Sequence, residues 1–338
     1  MTITTTSFGT TSKGEKATLY TLTNENGFIL EVTDFGASLV SAKVPTPSGL
    51  VDTLLGYDDV TGFEINKGHL GAIVGRHANR LAGACCILDG TKYQITITDP
   101  ERNYNLHSGP DVYGKRMWTG EALEADNAVR FTLFSPDGDQ GFPGNLKLSV
   151  TYQLTEDNTV KLLYDAVCDA KTVLNPTNHV YFNLNGQGSG TIWNHLLYVD
   201  STKVTETVNG VPTGKLLDVT GTHFDYKAPR PVADPLDDNF CEESHHKLET
   251  ARIICTGEKT GIVMKVHTDL PGVQIYTANG LNTSCGKGGL TYGSGDGICF
   301  ESQYYVNAVN TDSPDFKKPI LEKDTPFHSE TWYHYEVK

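Results

Sequence analysis

The chain has 338 residues, 38% of them hydrophobic and 20% charged, and a formal net charge of −14. That apolar share is enough for a packed core and too high for a disordered chain. The acidic balance argues against a nucleic-acid or anionic-membrane partner, because either needs a basic face.

Residues 1–20 contain no apolar h-region, so no secretory signal is expected there. No stretch approaches the roughly 18 apolar residues of a membrane span. Phe28, Leu30 and Val32 alternate with polar residues, the period of a half-buried strand. Residues 56–72 predict a short helix or two. Cys85 and Cys86 are adjacent and read as packing or surface thiols. The seven cysteines are odd in number and contain no CxxC pair, which fits reduced thiols in a cytoplasmic protein.

Val129, Phe131 and Leu133 continue the alternation. Leu146, Leu148, Val150, Tyr152 and Leu154 then alternate with Lys147, Ser149, Thr151 and Gln153. The turn Glu156-Asp157-Asn158 and the alternating Val160, Leu162, Tyr164 and Ala166 complete a hairpin. Turn signals recur at Pro136-Asp137-Gly138, Pro143-Gly144, Asn185-Gly186, Asn209-Gly210 and Pro271-Gly272. Residues 201–250 are the least strand-like region and predict a long excursion over the sheet. Many short strands with frequent turns predict an all-β fold, a large antiparallel sandwich formed as one domain over 1–338.

Some motif fragments carry little. Gly286-Lys287-Gly288 lacks the Ser or Thr and the upstream glycine of a phosphate loop. His245-His246 has no third ligand suggested and reads as solvated surface histidines. There is no HExxH and no GxSxG, so zinc hydrolysis and the hydrolase elbow lack their usual marks.

Four polar clusters interrupt apolar strand patterns. They are Gly75-Arg76-His77-Ala78-Asn79-Arg80-Leu81, Asn105-Leu106-His107-Ser108-Gly109, Asn175 to Leu184 around His179, and Ile298-Cys299-Phe300-Glu301-Ser302-Gln303. A charge or imidazole in such a setting is either satisfied inside the core or lines a pocket. Read alone, Arg80 is a candidate partner for a strand carboxylate, and His107 a core imidazole bonded to backbone.

In order along the chain, these clusters resemble the aldose 1-epimerase family. Gly71 to Arg80 is similar to that family's GxxxGRxANR, followed by Leu88-Asp89-Gly90, Tyr93, Asn105-Leu106-His107 and Lys115-Arg116-Met117-Trp118. Ser135 to Gly144 resembles SPDGDxGFPG, and Asn175 to Leu184 resembles NxTNHxYFNL. Pro271-Gly272-Val273-Gln274 and Glu301-Ser302-Gln303 complete the series, which covers nearly the whole chain. The chain departs from the family pattern at Ser108, at Leu236 and Asp238 around Asp237, and after Glu301, where Ser302 and Tyr305-Val306-Asn307-Ala308 replace part of ETQxxPDAxN.

The resemblance implies a galactose mutarotase-like β-supersandwich that interconverts the α and β anomers of a free aldohexose such as galactose or glucose. It implies His179 as the general acid at the ring oxygen and Glu301 as the general base at the anomeric hydroxyl. His107 would assist at the ring oxygen, Asn79, Arg80 and Asp237 would bind sugar hydroxyls, and Gln274 would line the site. The reaction needs one acid and one base on opposite sides of the anomeric centre, and no cofactor or metal. A monosaccharide is then the partner, with the protein a monomer or homodimer. Three other readings are a hexose-6-phosphate 1-epimerase, a non-catalytic sugar-binding protein on the same fold, and a glycosidase using Asp237 and Glu301 as paired carboxylates.

Overall fold

The computed structural model describes residues 1–241 and 247–338. The alternation around Leu148 produces the strands Leu146–Leu154 and Thr159–Cys168, paired in register and joined by a tight turn. Their apolar side chains face one way because successive residues of a strand point to opposite faces. These strands lie near the middle of a nine-stranded sheet. Its order is Thr119–Leu123, Ala128–Ser135, Leu146–Leu154, Thr159–Cys168, Phe327–Val337, Ile262–Thr268, Ile253–Thr256, Leu196–Val199 and Arg230–Pro231. The last strand in chain order therefore sits between Thr159–Cys168 and Ile262–Thr268.

A five-stranded sheet runs in chain order from Thr2–Thr10 through Lys16–Thr23, Ile29–Thr33 and Ser38–Thr46 to Gly49–Asp52. A second five-stranded sheet is ordered Val211–Asp218, Lys203–Val208, Asp237–Cys241, Gly272–Tyr276 and Cys299–Gln303. The ladders of all three sheets are antiparallel.

One hydrophobic cluster draws on all three sheets: Phe28 and Leu30 from the first, Phe131, Val150 and Leu162 from the largest, Val273, Ile275 and Phe300 from the third. Each large apolar side chain buried this way contributes about 1.5–3 kcal/mol. The seven cysteines are free. No helix among the described residues is long and apolar enough to cross a membrane.

The expected short helix is Val60–Ile65. Asp59 caps it, its carboxylate accepting from the amides of Thr61 and Gly62. The expected excursion over 201–250 is in large part sheet instead. Lys203–Val208 and Val211–Asp218 form a hairpin, and Asp237–Cys241 joins the same sheet. Asn209 and Gly210 both have positive φ, 53° and 77°, the conformation of a two-residue hairpin turn. His245 and His246 lie outside the described residues.

Gly286-Lys287-Gly288 holds no phosphate cradle. The Lys287 amine is buried and reaches Asp52 at 2.7 Å, Ser41 Oγ at 3.0 Å and the Leu54 carbonyl at 2.9 Å.

Candidate active site

Short ladders bring the four polar clusters to one cavity. Tyr104–Leu106 pairs with Arg80–Ala82, placing Leu106 opposite Arg80. The next residue, His107, then meets Asn79 twice. The His107 amide donates to the Asn79 carbonyl at 3.1 Å, and the Asn79 amide donates to His107 Nδ1 at 3.1 Å. An Nδ1 that accepts carries no hydrogen, so the neutral His107 ring bears its hydrogen on Nε2 and presents a donor. Asn79, His107 and Ser108 all occupy the left-handed region, at φ 62°, 54° and 58°. Such strain clusters at binding and catalytic sites. Ser108 is held there by its hydroxyl, which accepts from the His77 amide and donates to the His77 carbonyl.

His179 is grafted onto residues 71–72. Thr177–Asn178 pairs with Ile73–Val74, the His179 amide donates to the Ala72 carbonyl at 2.9 Å, and the Gly71 amide donates to the His179 carbonyl at 3.0 Å. Tyr181 stacks on the His179 ring, with centroids 5.1 Å apart and planes at 22°. The Tyr181 hydroxyl donates to the Gly68 carbonyl.

Glu301 lies on Cys299–Gln303, directly opposite Gln274 on Gly272–Tyr276. Its Oε1 is 3.6 Å from His179 Nε2, and both residues are almost fully buried. Its Oε2 is buried with no hydrogen-bond partner. Burial first, and then the Asp237 carboxylate, push the Glu301 carboxyl up to about 8. Burial first, and then His69, bring His179 down to about 3.

A cavity of about 630 Å³ opens onto these groups, lined by Asn79, Arg80, His107, His179, Asp237 and Glu301 among others. Arg80 donates to Asp237 Oδ2 at 3.1 Å while lining the cavity, so it is both ion-paired and exposed to the pocket. Asp237, not Asp238, faces the cavity. Gln274 stands behind it, its amide donating to Asp237 Oδ1 at 2.9 Å rather than lining the wall.

The sequence reading missed His69. Its ring lies 5.0 Å from that of His107 and 5.9 Å from that of His179. It sits at φ 57° in a turn clasped by Asn66, whose side chain bonds both the amide and the carbonyl of Leu70. Burial, then Lys115, brings His69 down to about 4. Tyr276 and the segment Gly280 to Cys285 complete the wall.

One ligand atom from each of His107, His179 and Glu301 lies within 4.8 Å of the other two, a spacing that could hold a divalent ion. The Nε2 hydrogen of His107 makes that atom a donor rather than a ligand, which suits a sugar oxygen better.

The family model described as Aldose 1-epimerase matches the chain over residues 18–334. The chain belongs to the aldose 1-epimerase family. It is 35% identical to galactose mutarotase of Bos taurus over 91% of each chain. It is 32% identical to aldose 1-epimerase of Escherichia coli, covering 95% of this chain and 96% of that one. An aldose epimerase homologue from C. elegans superposes with a TM-score of 0.88 at 27% identity, over 95% of this chain and 99% of that one. Galactose 1-epimerase from Lactobacillus acidophilus, 22% identical, shares the fold with a TM-score of 0.86 over 99% of each chain. The galactose mutarotase-like β-sandwich expected from the motifs is the fold observed, and membership makes the chain an isomerase acting on carbohydrates.

Proposed function

We propose that this aldose 1-epimerase opens and recloses free aldohexoses such as galactose and glucose with His179 and Glu301 as its proton-transfer pair. Glu301 takes the proton of the C1 hydroxyl and His179 gives one to the ring oxygen. The C1–O5 bond breaks to the open aldehyde. Rotation about C1–C2 presents the other carbonyl face, and closure reverses both transfers. His107 donates its Nε2–H to the sugar near the ring oxygen. Asn79, Arg80 and Asp237 grip hydroxyls, and Gln274 holds Asp237 in place.

The observation that carries this reading is the imidazole 3.6 Å from the Glu301 carboxylate at the cavity wall. A glycosidase would use Asp237 as the second carboxylate across the scissile bond, but Arg80 and Gln274 already hold that carboxylate by its two oxygens. A phosphosugar would call for several cations. Among the described residues the cavity is lined by Lys67 and Arg80, and Arg80 already serves Asp237. We read the chain as one cytoplasmic catalytic domain, active as a monomer or homodimer.

Polarimetry on freshly dissolved α-D-glucose and α-D-galactose tests the reading, with glucose 6-phosphate as the contrast. Acceleration is expected on the free sugars. Glu301→Gln and His179→Asn are each expected to lose about 10²–10⁴-fold in kcat, the range of one acid or base group. Folded variants with near-parental rates would overturn the assignment.

A further inference from the structure

Successive side chains on a strand point to opposite faces, so Cys299 and Glu301 project the same way from Cys299–Gln303. Both reach the same imidazole. Glu301 Oε1 lies 3.6 Å from His179 Nε2, and Cys299 Sγ lies 3.6 Å from His179 Nδ1. One strand thus faces both nitrogens of the ring, while Tyr181 stacks on its face. Cys299 is fully buried, and burial keeps its thiol in the neutral form.

The two nitrogens have different tasks. For the ring to give a proton to the sugar at Nε2 and later recover it there, the neutral ring must carry its hydrogen on Nδ1. That hydrogen needs an acceptor. A carboxylate would supply one but would also stabilise the imidazolium and weaken it as an acid. A neutral sulfur is a weak acceptor, so it orients the ring with little gain in basicity.

We propose that Cys299 is a positioning residue for mutarotation: its sulfur accepts the Nδ1–H of His179 and leaves Nε2 as the nitrogen that gives and recovers the proton. The thiol exchanges no proton or electron in the cycle. The proposal rests on the acid–base role of His179, and part of its test needs no turnover.

In enzyme labelled with ¹⁵N-histidine, the neutral His179 ring is expected to show a protonated, pyrrole-type Nδ1 and a bare Nε2. Cys299→Ala is expected to mix the two tautomers and lower kcat about 10-fold with KM little changed, the low end for an outer partner of a reacting group. Cys299→Ser, which restores an acceptor, is expected to recover most of the loss. A wild-type ring with its hydrogen on Nε2 would overturn the proposal even in a fully active enzyme. So would Cys299→Ala with parental kcat and an unchanged tautomer. If Cys299→Ala fails to fold, the wild-type spectrum and Cys299→Ser decide the matter.

Discussion

Glu301 and His179 hold one proton between them over a wide pH range, because burial raises the carboxyl to about 8 and lowers the imidazole to about 3. The two titrate as a pair, and in the proposed mechanism ring opening uses the arrangement with that proton on His179. The pH profile of kcat/KM is therefore expected to be flat from about pH 5 to about pH 7 and to fall above about pH 8, where the pair loses its proton. A profile that climbs through pH 8 would contradict a shared proton.

The same shift acts on stability. The folded-state value of Glu301 lies above the unfolded one, so the stability linked to its proton is fully present below the unfolded value. That stability is lost as pH rises toward about 8. The depressed histidines 69, 107 and 179 lose theirs in the other direction, as pH falls below the ordinary imidazole range. Glu301→Gln should therefore melt higher than the parent, by a margin that widens between about pH 5 and about pH 8. Thermal denaturation at both values checks this, and a margin independent of pH would refute it. His179 and Glu301 were legible in the sequence as candidates because each sits in a motif. His69 was not, since its place beside His107 depends on a turn clasped by Asn66.

The hairpin of Lys203–Val208 and Val211–Asp218 packs its tip on Arg80. A Cβ built on Gly210 would lie 3.5 Å from Arg80 Nε, and Gly210 already has φ +77°. Gly210→Ala is expected to cost about 1–2 kcal/mol, the penalty of an L side chain in the left-handed region. The methyl meets Arg80 at ordinary contact distance, so the strained backbone is what should shift the tip against Arg80 and raise KM for galactose, with kcat nearly unchanged. Denaturant melts and polarimetric kinetics measure the two effects, and an unaltered KM would show that the tip does not govern Arg80. Strands with one deeply buried face, such as Leu146–Leu154, are plain in the sequence because burial enforces strict alternation. This hairpin buries few residues, so its alternation is weak and its Asn-Gly turn was the one usable signal. Which motif meets which is also not local information. The Asn79–His107 clasp and the seat of His179 on residues 71–72 both follow from long-range pairing.

Across the whole molecule, the buried ion pair of Lys287 and Asp52 fastens the cavity-wall segment to the N-terminal sheet. Lys287→Met strands the Asp52 carboxylate and is expected to cost about 3 kcal/mol, the low end for breaking a buried pair because Asp52 keeps some exposure. Adding Asp52→Asn should return part of that loss in a double-mutant cycle followed by urea denaturation. A strictly additive double mutant would mean that the two residues are not coupled. The position of Phe327–Val337 inside the nine-stranded sheet bears on how the chain is made. During translation, Thr159–Cys168 and Ile262–Thr268 emerge well before the strand that joins them. Until it arrives, each presents an open edge to other nascent chains, and such edges recruit foreign strands. Yield in a fast-translating host should then depend on slow synthesis or on chaperones that shield those edges, because the seam of the largest sheet is sewn last.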